Sequence, residues 1–184
     1  IEFLHRDKMS IINQREVGTD TGSFAEALRH ILRQDPDCIL IGEIRDADSM
    51  KVALTAADTG HLVLSTLHTI DTTQTISRII SFFPPHQHQE IRYLLASTLQ
   101  AIISQRLIPD ITGTRRYPAV EVMINTSTIR EYIGDPEKTV LIRQAIQDGF
   151  VQYQMQTFDQ ALMSLYREKI ISLEEALKAS SNPH

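Results

Sequence analysis

Apolar residues along this chain move between helical spacing and unbroken runs, and each segment predicts an element. In SFAEALRHILRQ, residues 23–34, Phe24, Leu28, Ile31 and Leu32 recur three and four apart, the spacing of one helical face. Ser23 with Glu26 reads as a capping box, each side chain satisfying an orphan amide of the first turn. Asp35-Pro36-Asp37 predicts the stop, because the residue before a proline is pushed out of the helical region. CILIG, residues 38–42, follows as a continuous apolar run, the pattern of a strand covered on both faces in a parallel sheet. A helix is predicted from about Ala47 to Asp58, with Met50, Val52, Ala53, Leu54 and Ala57 inward and its end near Gly60. HLVLSTLHT, residues 61–69, is a second buried-strand run, completing a βαβ unit whose crossover is right-handed.

Helical spacing dominates thereafter. One helix is predicted from about Asp71 to Phe82, ending at Pro84-Pro85. A long one is predicted from His86 to Leu107, with Ile91, Leu94, Leu95, Leu99, Ile102 and Ile103 as its stripe. TGTRRYPAVEVMI predicts a turn and a strand near 119–124, and three or four short helices are expected from Ser127 onward. Two of these carry capping signals, Thr157 with Gln160 and Ser172 with Glu175. Pro109 to Pro118 is the softest boundary. The expected fold class is α/β, a parallel-rich sheet with flanking helices over residues 1–124 and a helical part over 125–184.

Composition narrows the function classes. A hydrophobic share of 42% and a charged share of 22% are ordinary for a globular chain. Cys38 is the single cysteine, which excludes an internal disulfide and a cysteine-based zinc site and points to a reducing compartment, most simply the cytoplasm. No apolar run approaches the roughly 20 residues that span a bilayer. A formal charge of −5 argues against nucleic acid as the main partner.

Chemistry is expected where the strands end, since ligands of open α/β sheets bind at the carboxyl ends. Glu43 ends the first strand, and Ser65, Thr66, His68 and Thr69 end the second. Neighbouring strands would bring these to one edge, a place for a polarised water, Mg²⁺ or a phosphate. The spacing fits two readings of Glu43, a functional carboxylate or a solvated strand end. Asp46 or Asp48 suits the cap of the next helix. His61 suits a hydrogen-bonded strand starter, and a lone His68 is more often structural than catalytic. His86-Gln87-His88 places its rings on diverging sides of a helix and reads as solvated surface. Arg115-Arg116 reads as an exposed loop. No G-x-x-x-x-G-K-[ST] phosphate-binding loop occurs in the chain.

Two segments carry a resemblance. LRQDPDCILIGEIRD, residues 32–46, resembles the signature of the secretion ATPase superfamily of type II secretion and type IV pilus motors, in which it holds the Walker B strand. TGHLVLSTLHT, residues 59–69, resembles that family's His box, and IEFLH resembles the tail of its Asp box. The likeness continues through NQREVGTDTGSFAEALR and to MQTFDQALMSLYREKIIS. QRLIPDITGTRRYPAVEVMI lacks the four-cysteine zinc insertion usual in secretion and pilus-extension members, and so resembles the PilT-like retraction ATPases. TIREYIGD, residues 128–135, keeps Ile129, Arg130 and Ile133 of the retraction family's Ala-Ile-Arg-Asn-Leu-Ile-Arg-Glu helix but has Gly134 in place of the second arginine.

The resemblance implies a RecA-like ATPase core segment lacking the phosphate-loop strand, from a homohexameric motor using ATP and Mg²⁺. It implies Glu43 as the Walker B glutamate at Mg²⁺ or the attacking water, and Glu2 as the Asp-box glutamate polarising that water. His61 and His68 become the His-box histidines, sensing the γ-phosphate or touching the neighbouring subunit, and Arg45 belongs to the nucleotide-binding signature. An inner-membrane pilus platform protein is the implied partner, which puts the motor at the cytoplasmic face of that membrane. A PAS-like domain and the phosphate loop are expected upstream of Ile1, where the chain opens inside an apolar run without an initiator Met. Pilus extension, type II secretion and a non-catalytic module docking to motor subunits are the alternatives.

Overall fold

Local capping in the first third of the chain sets up a short βαβ arrangement. A computed structural model describes residues 1–181. The chain divides into two compact units, Ile1–Leu67 and His68–His184.

In the first unit, α1 (Phe24–Ile31) starts where the Ser23 side chain accepts from the Glu26 amide at 3.1 Å. Glu26 returns a carboxylate oxygen to the Gly22 amide at 2.9 Å, one residue before the cap position the sequence suggests. The helix closes earlier than residue 34. Arg33 and Gln34 donate to His30 and Ile31, three residues back, so the last turn tightens before the proline is reached. β1 (Cys38–Ile41), α2 (Ala47–Asp58) and β2 (Leu62–Ser65) form the expected βαβ unit, with β1 and β2 parallel and Cys38 to Ile41 facing Leu62 to Ser65 in order. Asp46 caps α2, its carboxylate accepting from the Ser49 amide at 2.8 Å, and Gly60 ends it at φ +99°.

Coverage of these strands differs from the sequence expectation. Ile39 and Ile41 are 3% exposed, whereas Leu40 is 69% exposed, with Leu62 at 50% and Leu64 at 47%. One face of the pair is therefore buried and the other open, although both faces are apolar. In α2 the fully buried alanine is Ala56 rather than Ala57, beside Met50, Ala53 and Leu54.

The second unit opens with α3 (Thr72–Ser81), a 3₁₀ turn at Pro85–Gln87 and α4 (His88–Thr98). The long helix expected to reach Leu107 stops here. Leu99 turns to φ −59°, ψ 135°, and β3 (Ala101–Pro109) pairs antiparallel with β4 (Arg116–Ile124) over nine residues of each strand. Ile102, Ser104 and Ile108 are buried on one side while Ala101, Ile103, Gln105 and Leu107 face out, a period of two that β-branched residues favour. Pro109 to Pro118 is accordingly no boundary but the hairpin connection, closed by Asp110, whose carboxylate accepts from the Thr114 amide at 3.0 Å. His88 also departs from the solvated reading: its ring donates to the Phe83 carbonyl at 2.8 Å.

Beyond Ser127, five α-helices are present among the described residues: α5 (Ser127–Gly134), α6 (Ile142–Asp148), α7 (Phe150–Tyr153), α8 (Phe158–Arg167) and α9 (Leu173–Ala179). Thr157 and Gln160 form the full reciprocal capping box, and Ser172 caps α9. Phe158, Ala161, Leu162 and Ile171 pack with Ile108 and Ala119, so α8 and its successor cover one face of the hairpin. Burial of a Phe or Leu side chain there contributes about 1.5–3 kcal/mol.

Candidate functional site

The first unit ends both of its strands at one edge, and that edge is polar. The pairing continues beyond the strands: the Ile44 amide donates to the Thr66 carbonyl at 3.3 Å, and Thr66 Oγ1 donates to the Gly42 carbonyl at 2.6 Å. Ile44 is buried at 5% and pins this exit, so its neighbours Glu43 and Arg45 are carried out beside it. The Glu43 side chain is 27% accessible and its Oε1 lies 2.5 Å from the guanidinium of Arg45, which is 75% accessible. A pair this exposed contributes about 0–1 kcal/mol to stability. Arg45 can leave Glu43 at small cost, and the pair can therefore meet a ligand carrying both cationic and anionic groups. Asp46 is committed to α2 as its cap and takes no part in this edge.

His61 lies at the start of β2. Its amide donates to the Ala56 carbonyl at 3.1 Å, and its Nδ1 lies 3.1 Å from the same oxygen. The same Nδ1 lies 3.2 Å from the Thr59 hydroxyl, so the ring is tied to the end of α2. Glu2 occupies an exposed extended segment in which Gln14 joins the backbone of Phe3 and His5. Glu43, Glu2, His61 and Arg45 belong to the first unit and His68 to the second.

In its own unit His68 is exposed and lines an open groove of about 380 Å³ with Thr69, Gln74, Ser77, Arg78 and Ser81. Arg78 is held by the ring of Phe82, 5.0 Å from its centroid. These α3 residues were not singled out by sequence reasoning. Gln74, Ser77, Arg78 and Ser81 recur at three- and four-residue steps, one polar face running from the histidine.

Among the described residues no three His, Cys, Asp or Glu side chains cluster as a metal site. Mg²⁺ suits such an edge all the same, since it is held by one or two carboxylates with the remaining positions filled by water and phosphate oxygens. Glu43, half-exposed at a strand end, meets that single requirement.

Residues 7–178 match the type II/IV secretion system protein family. The type IV pilus retraction ATPase PilT of Pseudomonas aeruginosa is 45% identical over 183 residues, 100% of this chain and 52% of that protein. A twitching motility protein of Neisseria gonorrhoeae is 43% identical over 182 residues, 99% of this chain and 48% of its own. A crystal structure of the pilus retraction motor PilT with bound ADP superposes with a TM-score of 0.83 at 46% identity, covering 100% of this chain and 51% of that one. The chain thus spans about half the length of the curated relatives it matches. A family match over nearly all of the chain, on the same α/β architecture, settles its membership: the chain belongs to the type II/IV secretion system protein family.

Proposed function

We propose that this chain is a segment of a homohexameric ATPase that couples ATP hydrolysis to type IV pilus retraction and hence twitching. The observation that carries this reading is the end-to-end likeness to PilT at 45% identity. The position of Glu43 at the carboxyl end of a parallel strand supports it. Residues 1–124 would supply the ATPase part and residues 125–184 a helical subdomain.

Within this proposal Glu43 orients the attacking water and takes its proton, and Glu2 assists in polarising that water. Arg45 relinquishes Glu43 to engage nucleotide, while His61 and His68 sense the terminal phosphate or meet the neighbouring subunit. Glu43 is the residue that would hold Mg²⁺, and the ion would supply charge neutralisation for the transferred group. Positioning and charge neutralisation are most of what phosphoryl transfer asks of a protein. The motor would act at the cytoplasmic face of the inner membrane on the pilus platform protein, without nucleic acid.

In the full-length protein, Glu43→Gln is expected to abolish ATP turnover while ATP binding, followed by calorimetry, stays near wild type. Turnover at the wild-type rate would sink the assignment. Direction is read separately: loss of the gene should leave cells hyperpiliated and unable to twitch, and bald cells would mean extension.

A further inference from the structure

The segment that leaves His68 is held by two polar groups of the β3–β4 hairpin, the buried Glu121 and the half-buried Arg106. Glu121 of β4 is 5% exposed, and its Oε1 accepts from the Thr72 amide at 2.8 Å, the first amide of α3. Arg106 of β3 donates through NH2 to the Ile70 carbonyl at 3.3 Å. Through NH1 the same guanidinium donates to the Ala179 carbonyl at the end of α9, at 2.8 Å, and its Cζ lies over the Phe158 ring, 3.9 Å from the centroid.

Both hairpin contacts land on backbone, two and four residues beyond His68, so they fix the chain path whatever side chains stand there. The hydrogen bonds from the segment itself agree. Ile70 donates its amide to Gln74 Oε1 at 2.8 Å, the Asp71 carboxylate accepts from the Gln74 amide at 2.8 Å, and Thr69 and Thr75 share a hydroxyl bond at 2.7 Å. A lysine at 106 could not copy this hold, because only a planar fork presents donors to two carbonyls while stacking on an aromatic face. A carboxyl buried within the otherwise apolar AVEVMI also needs explaining, since burial of a polar group without a partner costs about 1–3 kcal/mol and more for a charged one. Thr72 explains it.

We propose that Arg106 and Glu121 are positioning residues for His68: together they clamp Ile70 to Thr72 and thereby set the histidine against the groove formed with Gln74, Ser77 and Arg78. The clamp ties the end of α9 to the His68 segment through a single side chain. The link to turnover rests on the proposed ATPase role of His68; the clamp itself does not.

The test uses the full-length protein and two readouts. In Glu121→Ala, amide hydrogen exchange at Ile70 to Gln74 should speed about tenfold, the change expected from losing one buried hydrogen bond, while exchange in α8 stays at the wild-type rate. Glu121→Gln keeps an oxygen at the same place and should restore wild-type exchange. Thr72→Pro removes the donor instead, at a first-turn position that proline tolerates, and should reproduce the alanine effect if Glu121→Ala fails to fold. Turnover supplies the second readout. Glu121→Ala should lower it about tenfold alone but not at all in a His68→Ala background, because a residue acting through His68 has nothing left to position. Unchanged exchange at residues 70–74, or losses that multiply across the double variant, would overturn the proposal. Wild-type turnover in His68→Ala would instead defeat the catalytic reading of His68, and the exchange data would then decide the clamp alone.

Discussion

The parallel pair β1–β2 and the antiparallel pair β3–β4 place their polar residues in opposite ways. In the first, four-residue strands keep apolar side chains along their length and release Glu43 and Arg45 at the exit, where both reach solvent. In the second, nine-residue strands bury Ser104 and Glu121 in mid-strand and expose Ile103 and Leu107 on the outer face. Parallel strands tolerate this economy of polar groups along their length because the chain can turn into a capped helix directly after the charged residues, as it does at Asp46. The hairpin has no such exit beside its buried face. Its buried carboxylate, Glu121, is consumed by the Thr72 amide, which makes it an anchor rather than a reagent. A half-exposed carboxylate at a strand end can exchange partners; a buried one on a helix amide cannot do so without loss of structure.

This contrast can be broken most directly through the hairpin's covered face. Phe158 is 1% exposed, and Phe158→Ala is expected to cost about 3–5 kcal/mol in denaturant unfolding, the range for deleting a buried aromatic. A loss under about 1 kcal/mol would mean that α8 does not carry the hairpin. Adjacent residues of β1 sharpen the other side of the comparison. Ile39→Ala should cost about 2–5 kcal/mol, whereas Leu40→Ala should stay within about 1 kcal/mol. Equal losses would show that both faces of the parallel pair are covered after all, as the unbroken apolar run first suggests. Smaller again is Asp46→Ala, expected to cost about 1 kcal/mol through the lost cap of α2, with Asp46→Asn recovering most of it.

How far these features can be read from sequence depends on whether one signal dominates. Caps were legible because Ser23, Asp46, Thr157 and Ser172 act locally, each through the amide three residues on. The helix face of α2 and the strand ends around Glu43 and Thr66 were legible for the same reason. β3 was not. Leu99, Ile102 and Ile103 suit a helical stripe as well as a strand, and the inward positions Ser104, buried, and Arg106, half-buried, interrupt the apolar alternation that would have decided it. The exposed face of β1 was illegible for a different cause: an apolar residue records what a position tolerates, not what covers it. Glu121 had a faint signal, a single charge at an inward position of the otherwise apolar AVEVMI. Its partner, the Thr72 amide, lies 49 residues away in sequence, beyond any local pattern.

The smallest effect concerns the far end of the Arg106 contact. On α9, Lys178 Nζ lies 2.8 Å from Glu174 Oε1 and 3.1 Å from Glu175 Oε1, with the acid N-terminal to the base, the favourable order on a helix. The hydrogen bond from Lys178 holds the Glu174 carboxyl below its ordinary value, and the hydrogen bond to Glu174, then that to Glu175, raises the Lys178 ammonium above its own. A carboxyl depressed in the folded state contributes stability that is present above its unfolded value and lost as pH falls through its folded one. An ammonium raised in the folded state contributes stability that is present below its unfolded value and lost as pH rises through its folded one. The pair therefore acts across the whole neutral range and fades only in acid below the usual carboxylate range and in base above the usual lysine range. Amide exchange over the last turn of α9 should be flat with respect to this pair between those limits, once corrected for the intrinsic pH dependence of exchange. Lys178→Ala should raise exchange there slightly, and about 1 M salt should shrink the difference, since exposed pairs are screened. If the pair also supports the Ala179 carbonyl for Arg106, the same variant should raise exchange at Ile70 to Thr72 in proportion; a change confined to α9 would separate the helix end from the clamp.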